Sequence, residues 1–191
     1  GDPALALRLV DAAADAGADM VKFQTFRAEA LAAAAAPKAA YQTRTTGAGE
    51  SQLAMLKRLE LSHDAHRAVQ ARARARGIRF LSTPFDLDSL RFLIEDLKVD
   101  TIKIGSGDLT NAPLLLAAAR TGRPAILSTG MATLEEVEDA LGVLAYGYTA
   151  DAPDRPLRAA FAKAFASEAG RAALTHNVTL LHCTTEYPAP V

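Results

Sequence analysis

The chain has 191 residues, 50% of them hydrophobic and 23% charged, with 21 Lys and Arg against 22 Asp and Glu. That apolar share supports a buried core and excludes wholesale disorder, while the even charge balance argues against a surface that wraps nucleic acid. The single cysteine, Cys183, allows no intramolecular disulfide and suits a cytoplasmic location, and no run approaches the roughly 18–20 apolar residues of a membrane span.

From the start of the chain, Asp2 and Pro3 read as the N-cap and first position of a helix. Its apolar face carries Leu5, Leu7, Leu9, Val10 and Ala13, and Gly17 stops it. MVKFQT (20–25) is a short strand, and residues 27–50 are a long active-site loop rich in Ala, Thr and Gly. Ser51 to Leu59 is a short helix, and Ser62 caps a second that runs to Arg76 and closes at Gly77. The unit then repeats. IRFLST (78–83), TIKIGS (101–106) and PAILST (124–129) are strands, followed by helices over Asp86–Leu97, Ala112–Arg120 and Thr133–Tyr146. Residues 147–176 read as an insertion with one helix near Leu157–Leu174, and NVTLLHCT (177–184) is the last strand. Strands rich in Val, Ile, Leu and Phe, buried on both faces and separated by helices, imply a parallel α/β sheet.

A doubly wound sheet and a (β/α)8 barrel both fit that alternation, and the strand ends favour the barrel. Each ends in hydrogen-bonding residues: Lys22 and Gln24, Ser82 and Thr83, Lys103 and Ser106, Ser128 and Thr129, Thr184 and Thr185. In a barrel these converge on one mouth, where its active sites lie. A complete barrel takes about 250 residues, so the expected fold is a partial TIM (β/α)8 barrel of about five parallel strands with flanking helices.

Lys22 and Lys103 each sit inside an otherwise apolar strand. A buried ammonium is costly without a partner. A carboxylate on a neighbouring strand would satisfy either lysine; an anionic ligand would satisfy both. Ser82, Thr83, Ser106 and Ser128 follow their strands directly. Each alone reads as a helix cap, but their recurrence beside two lysines describes a phosphate or carboxylate site. No GxxxxGK[ST] or GxGxxG motif is present, and GSGD at 105–108 lacks the third glycine. His63 and His66 read as surface residues, His182 as a core histidine and Cys183 as a small core residue, so no metal ligands are assigned.

The segments VKFQTF (21–26), ESQLAMLKRLELS (50–62), FLSTPFD (80–86), IKIGSGDLTNAPLL (102–115), ILSTGMATLEE (126–136) and LLHCTTEYPAP (180–190) resemble the sialic acid synthase family, its bacterial N-acetylneuraminate and legionaminate branch. The resemblance implies condensation of phosphoenolpyruvate with an N-acyl amino sugar (N-acetylmannosamine or a 2,4-diacetamido analogue), giving a nonulosonic acid and releasing phosphate by C–O cleavage. It assigns Lys22 and Lys103 as the catalytic lysines that hold phosphoenolpyruvate, with Thr83, Ser106, Ser128 and Thr185 around the same anion. Gln24 and Tyr187 face the amino sugar. Thr185 stands where some members carry Asn.

The resemblance further implies a divalent metal (Mn or Mg) whose ligands lie outside this chain, and a homodimer when full length. A preceding strand with a Glu and a C-terminal antifreeze-like domain are expected to be absent, and residues 1–191 alone to be inactive. Two other readings remain at this point: another phosphoenolpyruvate-condensing barrel that makes a 3-deoxy sugar acid, and a non-catalytic barrel that binds an anionic metabolite.

Overall fold

The computed structural model describes residues 1–31, 51–150 and 157–184. Most of the 27–50 loop, together with Thr185 and Tyr187, lies outside the described residues. The contacts divide the chain into two compact units, Gly1–Val99 and Asp100–Val191.

In the first unit, α1 (Pro3–Asp15) starts at Asp2, whose carboxylate accepts from the Ala4 and Leu5 amides at 2.9 and 3.2 Å. It leads into β1 (Met20–Thr25), and a one-turn α2 (Ala28–Leu31) follows. The helix α4 (His63–Ala75) is capped by Ser62, as the sequence predicts, and α3 (Gln52–Leu59) begins one residue later than expected because Ser51 is its cap. α4 ends at Gly77, whose φ of +73° suits a residue without Cβ. β2 (Arg79–Pro84) then pairs parallel with β1, placing Lys22 opposite Leu81 and Gln24 opposite Thr83. Val10, Val69, Ala73, Phe80, Phe92 and Leu93 belong to the core of this unit.

The predicted Asp86–Leu97 helix divides into α5 (Leu87–Arg91) and a π-helical turn over Phe92–Asp96. Leu97 N–H reaches back five residues to the Phe92 carbonyl at 3.2 Å. The wider turn lets Phe92, Leu93 and Leu97 all enter the core, which an α-helical spacing would splay apart.

The second unit holds β3 (Ile102–Ile104), a 3₁₀ turn over Ser106–Asp108, α6 (Ala112–Arg120), β4 (Ala125–Ser128), α7 (Leu134–Thr149), α8 (Arg158–Ala166), α9 (Glu168–Asn177) and β5 (Val178–Leu181). The three strands are parallel in the order β3-β4-β5. Thr133 and Glu136 form a capping box on α7. The helix expected near Leu157–Leu174 is two helices. Ser167 caps the start of α9 through its Oγ on the Gly170 amide, 2.9 Å away, and Gly170 lies against the Ala164 carbonyl where a Cβ would collide at 1.9 Å. The break lets the chain fold back on itself.

Burial of the strands on both faces holds for β2 and β3 but not for β1 or β5. In the second unit Ile102, Ile104 and Leu127 share one face and are fully buried, while Thr179 and Leu181, on the other face, are exposed. In the first unit Lys22 and Gln24 are exposed.

α7 runs past the predicted end at Tyr146 because Gly147 lies close to α6. A Cβ at this position would stand 2.5 Å from Ala119 Cβ and 3.4 Å from a Leu116 methyl. Gly147→Ala is therefore expected to lower thermal stability, by about 1–3 kcal/mol of overpacking, although Ala is the better helix former by roughly 1 kcal/mol. Thermal denaturation checks it, and a raised melting temperature would contradict this packing.

Candidate functional site

In the first unit the alternation of β1 and β2 sorts the polar residues by face. Lys22, Gln24 and Thr83 share one face by register; Phe23, Thr25, Phe80 and Ser82 share the other. Phe23 stacks on Phe80 at 6.1 Å on the helix side. A cleft of about 610 Å3 alongside β1 is lined by Lys22 and Gln24 from one face and by Val21 and Phe23 from the other, together with Leu5 and Leu9.

Lys22 departs from the sequence expectation: its side chain is exposed to this cleft rather than enclosed in a strand. The surrounding protein still holds its ammonium below the ordinary lysine range by partial desolvation. Thr83 is buried beside it in the sheet.

His66 also departs from expectation. It is 1% exposed, and His63, not His66, is the surface residue, stacked on Phe92 at 3.7 Å. On the helix side of the sheet, His66 Nε2 lies 3.0 Å from Thr25 Oγ1, and Thr25 Oγ1 lies 2.7 Å from Ser82 Oγ. The nearest sequence signal was Ser62, whose cap fixes where α4 begins; that alone did not say which face His66 takes.

In the second unit, Lys103 and Ser128 fall on one face by register, and the Lys103 ammonium, 7% exposed, is buried as expected. Its Nζ donates to Ser128 Oγ at 2.6 Å and to the Ile104 carbonyl at 2.5 Å. Ser106 Oγ accepts from the Gly130 amide at 2.9 Å, which ties the turn after β3 to the turn after β4. Beyond Gly130, Met131 takes φ +65°, rare for a residue with a side chain.

Cys183 completes this group. Half-buried, its Sγ stands 3.6 Å from Ser106 Oγ, at the strand ends rather than in the core. Burial pushes its thiol up, but the hydroxyls of Ser106 and Ser128 and the Gly130 and Thr129 amides outweigh this and hold it below the usual thiol range. His182, expected in the core, is exposed just after β5. Among the described residues no three His, Cys, Asp or Glu side chains converge to hold a metal ion, so these residues do not fit a metal centre.

The second unit brings a buried lysine, two serine hydroxyls and a backbone amide to the C-terminal ends of its parallel strands, the end at which barrel-type enzymes carry their active sites. The chain belongs to the NeuB family, whose model matches residues 9–191. It is 44% identical over 190 residues to the N,N′-diacetyllegionaminic acid synthase of Campylobacter jejuni, covering 100% of this chain and 49% of that protein. The Legionella pneumophila protein of the same name is 40% identical over 191 residues, with 99% and 47% covered. A crystal structure of N-acetylneuraminic acid (sialic acid) synthetase from Leptospira borgpetersenii, in complex with citrate, matches all of this chain and 52% of that one, with a TM-score of 0.70 at 28% identity. This match carries the partial-barrel fold class. The chain spans about half the length of the curated relatives it matches.

The lowered thiol has a measurable consequence. Since the donors around the sulfur hold the folded thiol below its ordinary value, the reactive thiolate forms at lower pH than in a free cysteine. Alkylation of Cys183 by iodoacetamide is expected to reach half its maximal rate at lower pH than in the unfolded chain, and Ser106→Ala to move the midpoint upward. An unmoved midpoint would show that Ser106 does not face the sulfur.

Proposed function

We propose that the whole protein condenses phosphoenolpyruvate with an N-acyl amino sugar to form a nonulosonic acid. The observation that carries this reading is the Lys103–Ser128 and Ser106–Gly130 arrangement in a NeuB-family chain that is 44% identical to a legionaminic acid synthase. A buried ammonium with hydroxyls and an amide beside it suits an anion carrying both carboxylate and phosphate. Lys103, Ser106 and Ser128 are assigned to phosphoenolpyruvate, and so are Lys22, Thr83 and Thr185 from the family resemblance. Gln24 and Tyr187 are assigned to the amino sugar.

In the proposed reaction, C3 of the enol attacks the open-chain aldehyde carbon, forming a C–C bond while the aldehyde oxygen gains a proton. Water adds at C2. The tetrahedral intermediate then expels phosphate by breaking the C2–O bond, which leaves a ketone. Residues that hold the anion position C3 and bear the charge on the departing phosphate. The same reading makes the whole protein a cytoplasmic homodimer assisted by Mn or Mg, the ion being held by residues other than those described.

The test is phosphate release from phosphoenolpyruvate by the whole protein with Mn present, with and without N-acetylmannosamine or a 2,4-diacetamido sugar. Release is expected only with a sugar. Lys103→Ala is expected to lower it about 10²–10³-fold, as for loss of a charge-stabilising donor. Ser128→Ala is expected to cost about 1.5–3 kcal/mol, the worth of a hydrogen bond to a charged group. A folded protein that releases no phosphate with any N-acyl sugar would overturn the proposal.

A further inference from the structure

We infer that His66 is a positioning residue for the amino-sugar side of the site, setting the aim of Gln24 through a chain of hydrogen bonds behind β1. The inference rests on the synthase reading, which gives Gln24 its substrate, and goes beyond it by assigning a role to a buried side chain on α4.

The contacts form a continuous chain. Both ring nitrogens of His66 face backbone carbonyls, Nδ1 that of Ser62 at 3.0 Å and Nε2 that of Gln24 at 3.3 Å, and Nε2 also lies 3.0 Å from the Thr25 hydroxyl. Thr25 Oγ1 in turn lies 2.7 Å from Ser82 Oγ, and either hydroxyl can donate. The chain Ser82–Thr25–His66–Ser62 links the ends of both strands to the first turn of α4. Burial holds the imidazole below the ordinary histidine range.

The geometry makes the chain a constraint on the neighbouring residue. Gln24 and Thr25 are the last two residues of β1, and their side chains leave on opposite faces. Thr25 turns back to His66, while Gln24 enters the cleft with Lys22. The Gln24 carbonyl itself lies 3.3 Å from His66 Nε2. A rotation or slip of the backbone at these residues would leave Thr25, Ser82 and His66, all buried, without their hydrogen bonds. The contacts on the helix side of the sheet thereby fix where Gln24 points.

Two substitutions of His66 separate positioning from simple packing. Glutamine carries a polar group to the place of Nε2, on the strand side; asparagine carries one only to the place of Nδ1, on the Ser62 side. In the whole protein, His66→Asn is expected to raise the KM for the amino sugar about tenfold, the loss of one hydrogen bond's worth of alignment. The KM for phosphoenolpyruvate should stay within about twofold, and His66→Gln within about threefold of wild type for both substrates. Thr25→Val keeps the branched shape, removes the relay hydroxyl, and should reproduce the His66→Asn pattern; it carries the test if the His66 variants do not fold. An unchanged sugar KM in His66→Asn and Thr25→Val would overturn the inference. So would equal losses for both substrates in every variant, which is what a purely structural histidine gives. A wild-type protein without sugar-dependent phosphate release would overturn the synthase reading and this inference with it.

Discussion

Moving an ammonium out of water costs several kcal/mol unless the protein replaces the lost hydration. Lys103 meets this with the Ser128 hydroxyl and the Ile104 carbonyl, all at the ends of parallel strands. The surrounding architecture serves that contact. Parallel pairing of β3 and β4 puts Lys103 and Ser128 on one face, and the fully buried Ile102, Ile104 and Leu127 anchor the other against helices. The two turns that follow are joined by Gly130 and Ser106, and Met131 adopts a left-handed conformation worth roughly 1–2 kcal/mol of strain next to that junction. Cys183 reports the result, since its sulfur senses the same donors that would meet an anion.

The first unit solves the same problem differently. Lys22 stands in a wide cleft instead of a dry interior, so its charge is only partly desolvated and stays available to a ligand. Its polar investment lies on the reverse side of the sheet, in the Thr25, Ser82 and His66 chain. Such a chain is satisfied as a whole or not at all, and this makes it a means of holding register at a strand end. The phenyl ring of Phe92 packs on both His63 and His66, and the π-helical turn that carries Phe92 brings it to them.

The chain belongs to the NeuB family and spans about half the length of the legionaminic acid synthases it matches. The resemblance visible in the motifs and the match to a sialic acid synthetase agree on fold and family. They bear on the roles of single residues only through geometry. Lys103, Ser106 and Ser128 come together within one unit, as do Lys22, Gln24 and Thr83 within the other, while Thr185 and Tyr187 lie outside the described residues.

Much of this was legible in sequence because it is local. Asp2 and Ser62 cap the helices that follow them, glycines end α1, α4 and α6, and the strands lie within two or three residues of their predicted bounds. Caps, turns and strand alternation depend on neighbours a few positions away, so the order of elements and the strand-end hydroxyls could be read directly. The environments of the side chains could not. His66 meets Thr25 across 41 positions, Thr25 meets Ser82 across 57, and Ser106 meets Cys183 across 77. Which face His66 takes, whether Lys22 is sheathed or open, and what lowers the Cys183 thiol are decided by partners that only chain folding brings together.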